Sequence, residues 1–263
     1  MLRKLSKNFR VCADARTSLE CAKRAFIAVS YTHLGFVFPL FWQQAPLNRV
    51  ASQLLQGQTF KRQALLDEAL KADTDERSSF CNPTQLHNLV ILRLVLLDDA
   101  IAAKNQTLID SAYAPLYDAT RRALACAPAD PFTWLTLFSL DAGKHGFDRY
   151  NAAYLRLSYV LGPNEGWIAL WRSRLAFAMF ERLPDDLSDD AIDDFIKLVD
   201  TGQLYPETAA IFASAAPAVQ SRIVAHLDTA KVIPRQTFAK TLYDNGLDVI
   251  IPSVGTSDAR PWR

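Results

Sequence analysis

The sequence predicts an all-α protein in which a helical-repeat superhelix follows one N-terminal transmembrane helix. Three observations lead to this prediction. The chain has 9 glycines and half of its 263 residues are hydrophobic, which is more typical of helices than of a turn-rich β-sandwich. An uncharged segment lies near the N-terminus, and Pro128 and Pro163 lie 35 residues apart, close to the period of helical-hairpin repeats.

The N-terminal segment 25–42 has eighteen residues without a formal charge, the short end of what spans a bilayer. The preceding residues, 1–24, hold seven basic and two acidic groups, a net charge of +5. Because basic flanks remain in the cytoplasm, we predict a cytoplasmic leader at 1–24, a single-pass signal anchor in the inner membrane at 25–42, and a periplasmic C-terminal body. A cleaved signal peptide and a buried core helix remain alternatives.

The body, 43–263, is mildly acidic, with 22 basic and 26 acidic residues and a net charge of −4. Its basic residues are scattered, so the sequence does not indicate nucleic-acid binding. We divide the body into a helical-repeat domain at 43–252 and a flexible tail at 253–263. Helical spacing of apolar residues predicts the first helices of the repeat domain at 60–72, 84–103 and 108–125.

The region around Pro128 and Pro163 fits a tetratricopeptide pattern, in which a pair of helices recurs about every 34 residues. Each proline follows one helix and precedes a tryptophan-bearing helix. Further positions fit when the two prolines are taken as anchors: Trp134 and Leu137 in the first helix, and Ala123 and Ser158 at the small position of the second. Phe138 stands where glycine is expected, so we predict a degenerate tetratricopeptide-like array of one and a half to two repeats.

An acidic run at 185–194 opens the next predicted helix. Carboxylates in a first turn complement the helix dipole, and Ser188 is a suitable N-cap. The run lacks the alternating oxygens and turn glycine of a calcium loop, so we interpret it as a solvated helix start. Short helices at 205–214, 217–228 and 234–243 would then cap the superhelix.

The four cysteines fall on both sides of the predicted anchor. Cys12 and Cys21 precede it, whereas Cys81 and Cys126 follow it and would meet an oxidising compartment. The latter two are a candidate disulfide, with two unpaired, buried thiols as the alternative. No pair has the spacing of a zinc site.

No catalytic or cofactor motif is present in the sequence, so we predict a protein that is not an enzyme and holds no cofactor or metal. His87 reads as a half-buried packing residue and His145 as a solvated one. Neither belongs to a recognisable set of nucleophile, base and orienting group.

Aromatic and arginine side chains of the repeat region are the better candidates for function. Such residues suit the binding surface of a repeat superhelix, although tryptophans of this pattern also serve as core residues. The candidate partner-binding residues are Tyr150, Tyr154, Arg156, Trp167, Trp171, Arg172 and Arg174.

Part of the chain resembles the VpsP-type and related tetratricopeptide-like accessory proteins of bacterial exopolysaccharide synthesis and export. The residues that carry the resemblance are Cys81-Asn82-Pro83, Ala123-Leu124, Pro128, Pro131, Trp134, Leu161-Gly162-Pro163-Asn164-Glu165 and Arg172. The resemblance implies a periplasm-facing accessory role and supplies no catalytic residues.

The sequence therefore leads us to expect a membrane-anchored scaffold that binds other envelope proteins of a polysaccharide machine. Two other functions stay open. One is a scaffold of a different envelope assembly, such as cytochrome maturation or secretion, and the other is a sugar-binding or carbohydrate-active subunit.

Overall fold

The computed structural model describes residues 45–77, 81–251 and 254. These residues form helices and connections without a β-strand, so the predicted all-α class is confirmed. The predicted leader, the membrane segment 25–42 and all but one residue of the tail 253–263 lie outside the described residues. Within the described part of the chain, no helix has both the length and the apolar character that crossing a membrane requires.

The chain divides into two compact units, Met1–Phe80 and Cys81–Arg263. The described part of the first unit holds two helices, α1 at 45–55 and α2 at Arg62–Arg77. α2 buries Leu65, Ala69 and Ala72, a spacing that places all three on one face of the helix.

The second unit holds nine α-helices within its described residues, and the helices predicted from apolar spacing correspond to them closely. Short 3₁₀ turns at Phe180–Arg182 and Leu227–Thr229 follow the fifth and eighth of these helices. The nine are α3 (Pro83–Ala102), α4 (Gln106–Cys126), α5 (Pro131–His145), α6 (Arg149–Leu161), α7 (Gly166–Ala178), α8 (Asp185–Thr201), α9 (Tyr205–Ser214), α10 (Pro217–His226) and α11 (Val232–Asp244).

Helices of the second unit pack mainly on their neighbours in the chain. α3 packs on α4, α5 on α6 and α7 on α8, while α5 also contacts α7 and α6 contacts α8. α8 continues this order into the C-terminal part, where it contacts α9, α10 and α11. Phenylalanines from three of these helices meet there, since the ring of Phe238 lies 5.9 Å from Phe195 and 6.1 Å from Phe212.

Side-chain caps set the starts of four consecutive helices. Asn82, Asn105, Asp130 and Asp148 accept hydrogen bonds from first-turn N–H groups of α3, α4, α5 and α6. These caps satisfy amide groups that the helix itself leaves without partners.

The start of α8 differs from its prediction. α8 begins at Asp185 after Pro184, without a side-chain cap. Ser188 is a buried residue of the first turns and donates to the Asp185 carbonyl oxygen at 2.9 Å. The prediction of Ser188 as the N-cap was wrong because the cap position is Pro184, four residues earlier.

Gly162 brings the connection between α6 and α7 against the start of α5. A Cβ atom on Gly162 would lie 2.7 Å from both Cβ and Cγ of Pro131. Glycine is therefore the residue that lets these two segments approach so closely.

Candidate interaction surface

The structure separates the predicted partner-binding residues into different environments. Trp167 and Trp171 lie on α7 beside Phe132 of α5. Tyr150 and Tyr154 lie on α6, and Tyr154 stacks on Trp134 with ring centroids 5.7 Å apart. The predicted residues therefore do not form one patch.

The three predicted arginines also differ from one another. Arg156 forms a two-point ion pair with Asp186, with N–O distances of 2.7 and 3.0 Å. Arg174 is exposed and has no polar partner among the described residues. Arg172, in contrast, is fully buried.

Arg172 of α7 holds three helices together from inside the core. Its Nε and Nη2 donate to the two carboxylate oxygens of Asp194 at 3.0 and 3.1 Å. Its Nη1 donates to the Ser158 carbonyl oxygen at 2.6 Å, and Nη2 also donates to that of Gly162 at 2.9 Å. The guanidinium lies 4.8 Å from the centre of the Tyr159 ring. These contacts correct its assignment as a partner-binding residue, because every one of them lies inside the protein.

The acidic run of α8 is likewise more than a solvated helix start. Asp186 pairs with Arg156 of α6, Asp189 with Arg222 of α10, and Asp194 with Arg172 of α7. Three carboxylates of one helix thus connect it to three others. Exposed pairs of this kind contribute little individually, whereas removal of one partner of the buried pair would leave an uncompensated charge between α7 and α8.

An aromatic group around Phe132 is the surface that best fits a binding role. We call it the Phe132 cluster, and its members are His87, Asp130, Phe132, Trp167 and Trp171. Phe132 is buried, and its ring centroid lies 5.0 Å from His87, 5.1 Å from Trp167 and 5.6 Å from Trp171. The cluster joins the N-terminal turns of α3 and α5 to α7.

Trp167 gives this cluster an exposed apolar surface. Its side chain is 40% exposed while Phe132 beneath it is 3% exposed, and Trp171 is half-buried. A tryptophan held on a buried aromatic base loses little freedom when a partner covers it, and tryptophan is among the residues that contribute most at interfaces.

A hydrogen-bonded pair closes one side of the Phe132 cluster. His87 Nδ1 lies 2.6 Å from Asp130 Oδ2, and both side chains are mostly buried. The same carboxylate accepts from the Thr133 hydroxyl at 2.7 Å and from the Phe132 amide at 3.0 Å. Asp130 therefore caps α5 and also attaches α3 to its start.

The surroundings of Asp130 lower the pKa of its carboxyl below the usual 3.8. Burial acts to raise this pKa, but the hydrogen bonds and charge of His87 and the bonds from Thr133 outweigh it. A carboxyl whose pKa is lower in the folded state stabilises that state above the unfolded pKa, and loses this effect as pH falls through the folded pKa.

We expect Asp130→Asn to lower the free energy of unfolding by about 1–2 kcal/mol at pH 7. The difference from wild type should shrink as pH falls below 3.8. Urea unfolding of the full chain between pH 7 and pH 3 measures both quantities. Asp148→Asn is the matched control, because Asp148 caps α6 in the same way and has no histidine partner within the described part of the chain. Equal pH dependence in the two variants would contradict the role of His87.

The cysteines are joined where their two helices meet. A disulfide links Cys81 to Cys126, with Cα atoms 5.7 Å apart. It fastens the residue just before the cap of α3 to the last residue of α4. The disulfide and the His87–Asp130 contact therefore both hold the start of α3 to the region between α4 and α5.

The sequence analysis did not assign structural roles to Asp130 and Asp194, although the sequence around each residue indicates one. Asp130 directly precedes Pro131, the usual order of an N-cap and a first helical residue. Asp194 follows Leu187 and Ala191 at helical spacing, which places it on the buried face of α8. The contact between His87 and Asp130 could not be predicted from local sequence, since the two residues are 43 positions apart.

No known protein family, curated protein or solved structure matches this chain.

Proposed function

We propose that this protein is a membrane-anchored scaffold of tetratricopeptide-like helical hairpins that binds a protein partner through the Phe132 cluster. The observation that carries the proposal is the exposed ring of Trp167 on the buried ring of Phe132. The anchor is the segment 25–42, whose uncharged length and basic flank favour membrane insertion.

Several features of the second unit support the repeat interpretation. Helices pair in chain order, and α5 of one pair contacts α7 of the next, as expected where each unit stacks on its neighbour. Ala123 and Ser158, which the pattern requires to be small, are 3% and 0% exposed. Each lies in the second helix of a pair.

The Phe132 cluster occupies the position expected for a binding surface in such an array. Its residues come from α3 and α5, from the connection just before α5, and from α7, so the first helices of three successive pairs contribute. In helical-repeat proteins a surface built from equivalent helices is extended and suits a peptide or protein segment.

For the biological setting, we propose an accessory role in the synthesis or export of an envelope exopolysaccharide. The residues from Cys81 to Arg172 that resemble the VpsP-type accessory proteins support this setting. A scaffold in a different envelope assembly would use the same surface with a different partner.

Site-specific photo-crosslinking in cells tests the proposal. A photoreactive phenylalanine at position 167 should crosslink the full chain to an envelope protein of the polysaccharide machinery. Position 233 is the control, because Ile233 is 76% exposed and lies on α11. Trp171→Ala should lower the crosslink yield at position 167 by about tenfold or more, as at an interface hot spot.

Two outcomes of the crosslinking experiment would contradict the proposal or its setting. Identical products from positions 167 and 233 would show that the Phe132 cluster is not a specific binding surface. A specific product from outside the polysaccharide machinery would support the binding role and overturn the proposed setting.

A further inference from the structure

A second aromatic surface lies on α4, α5 and α6 and shares no residue with the Phe132 cluster. We call it the tyrosine face. Four aromatic rings and two cations compose it: Tyr113, Tyr117 and Arg121 of α4, Trp134 and Lys144 of α5, and Tyr154 of α6. The three residues of α4 are spaced at i, i+4 and i+8, so they form a stripe along one side of the helix.

The rings of the tyrosine face form two nearly parallel pairs. The Tyr113 and Tyr117 centroids are 6.1 Å apart with an angle of 12° between the planes. The corresponding values for Trp134 and Tyr154 are 5.7 Å and 27°. All four side chains are half-buried.

Two of these rings are fixed by hydrogen bonds to the backbone. The Tyr113 hydroxyl donates to the Leu140 carbonyl oxygen at 3.1 Å, and the Trp134 indole N–H donates to that of Pro128 at 2.8 Å. A ligand that stacks on such rings has little side-chain entropy to overcome.

The two ring pairs flank the same helix, because Tyr113 of α4 donates to the Leu140 carbonyl oxygen of α5 and Tyr154 of α6 stacks on Trp134 of α5. Burial raises the pKa of Tyr154, and so do the nearby Asp141, Tyr117 and Asp148, while Arg121 lowers it. Side chains of α4 are therefore within electrostatic range of the tyrosine on α6.

The polar groups of the tyrosine face are available to a ligand. Arg121 lies 6.0 Å from the Tyr117 ring centre and Lys144 lies 5.0 Å from that of Tyr113. Among the described residues, neither cation has a carboxylate partner and neither the Tyr117 nor the Tyr154 hydroxyl has a hydrogen-bond partner. The neighbouring Asp141 is engaged by His145, whose Nδ1 lies 3.0 Å away.

We infer that the tyrosine face binds a segment of anionic polysaccharide whose sugar rings carry carboxylates. A pyranose ring has an apolar C–H face and a rim of hydroxyls, which match the face and the hydroxyl of a tyrosine. Its carboxylates would pair with Arg121 and Lys144 at the edge of the rings.

The same features fit an acidic peptide less well. A bound helix needs an apolar groove for side chains spaced at i, i+3 and i+4, and a bound strand needs an exposed sheet edge, while an extended acidic peptide would use only the two cations and leave the ring faces uncovered. The tyrosine face offers hydroxyl-bearing rings instead, and the described part of the chain contains no strand. This inference is independent of the partner proposed for the Phe132 cluster.

Binding of defined chains to the purified full-length protein tests this inference. The probes are alginate oligosaccharides, neutral malto-oligosaccharides of equal length, and poly-glutamate with the same number of charges, all at 150 mM salt. We expect alginate to bind at least tenfold more tightly than either of the others. Titration calorimetry measures the three affinities.

Matched variants locate the binding site. Arg121→Gln with Lys144→Gln should weaken alginate binding at least tenfold. Arg174→Gln with Lys240→Gln removes the same charge from two exposed cations outside the tyrosine face and should leave the affinity within a factor of two. Tyr117→Phe, which removes a hydroxyl and keeps the ring, should weaken binding about threefold.

Three results would overturn the inference. Poly-glutamate binding as tightly as alginate would show that charge alone is recognised and would favour an acidic protein ligand. Equal losses in the two double variants would show non-specific attraction. Absence of alginate binding in wild-type protein whose circular dichroism spectrum is helical would exclude this ligand class.

Discussion

Replacing Arg172 by methionine is expected to lower the free energy of unfolding by about 3–5 kcal/mol, the usual cost of removing one partner of a buried ion pair. Asp194 would be left in the core without a counter-ion; burial already raises its pKa, and the loss of Arg172, which lowers it, would raise it further. The carbonyl oxygens of Ser158 and Gly162 would also lose the hydrogen bonds that the guanidinium donates to them. A loss of this size is a large part of the stability of an ordinary domain.

Urea unfolding of the full chain followed by circular dichroism measures this change. Arg174→Met is the matched control, since Arg174 lies two residues further along α7 and is exposed; we expect a change within about 0.5 kcal/mol. The double variant Arg172→Met with Asp194→Leu should recover much of the loss, because it removes both charges. A double variant no more stable than Arg172→Met would show that the carbonyl contacts matter more than the ion pair.

Loss of the Cys81–Cys126 disulfide is expected to cost about 4 kcal/mol, the value for a loop of this length in the chain-entropy description. The two cysteines are 45 residues apart, so the bond restricts a long stretch of the unfolded chain. The α3–α4 hairpin should be affected most, because the bond joins its two open ends.

Cys81→Ser with Cys126→Ser, in a chain whose Cys12 and Cys21 are also serine, gives the cleanest measurement. The reference is the chain with serine at positions 12 and 21 alone. Adding reductant should destabilise this reference to the level of the variant and leave the variant unchanged. The disulfide would be contradicted if reductant left the free energy of unfolding of the reference unchanged and if the thiols of Cys81 and Cys126 reacted with a thiol reagent in the folded protein.

The helices were largely predictable because their signals are local. Apolar spacing and terminating residues gave elements close to the observed α2, α3, α4, α9 and α11, and proline-tryptophan spacing located α5 and α7. The predicted start of a helix was wrong where the N-cap was assigned to the wrong residue, as for Ser188, which lies inside α8. A serine in a first turn satisfies the same local rule as one just before it.

The candidate surfaces were less predictable because they depend on which faces meet. Arg172 and Arg174 are two residues apart in one helix and were given the same role, yet one is buried and the other exposed. Helical spacing places the two arginines about 200° apart around the axis. If one face of α7 is assigned to the core, only one of the two arginines can lie on that face. The contacts of Phe132 with His87 and Trp167 join three helices and have no signature in any one of them.

Packing between chain neighbours also bears on how the second unit folds. From α3 to α7 each helix meets partners one or two positions away in the chain, and the disulfide and the Arg172–Asp194 pair close separations of 45 and 22 residues. Domains rich in such local contacts fold quickly. A chain that emerges with its N-terminal end first can therefore pair α3 with α4 before Arg172 and Asp194 have left the site of synthesis, whereas the Cys81–Cys126 bond forms only in an oxidising compartment.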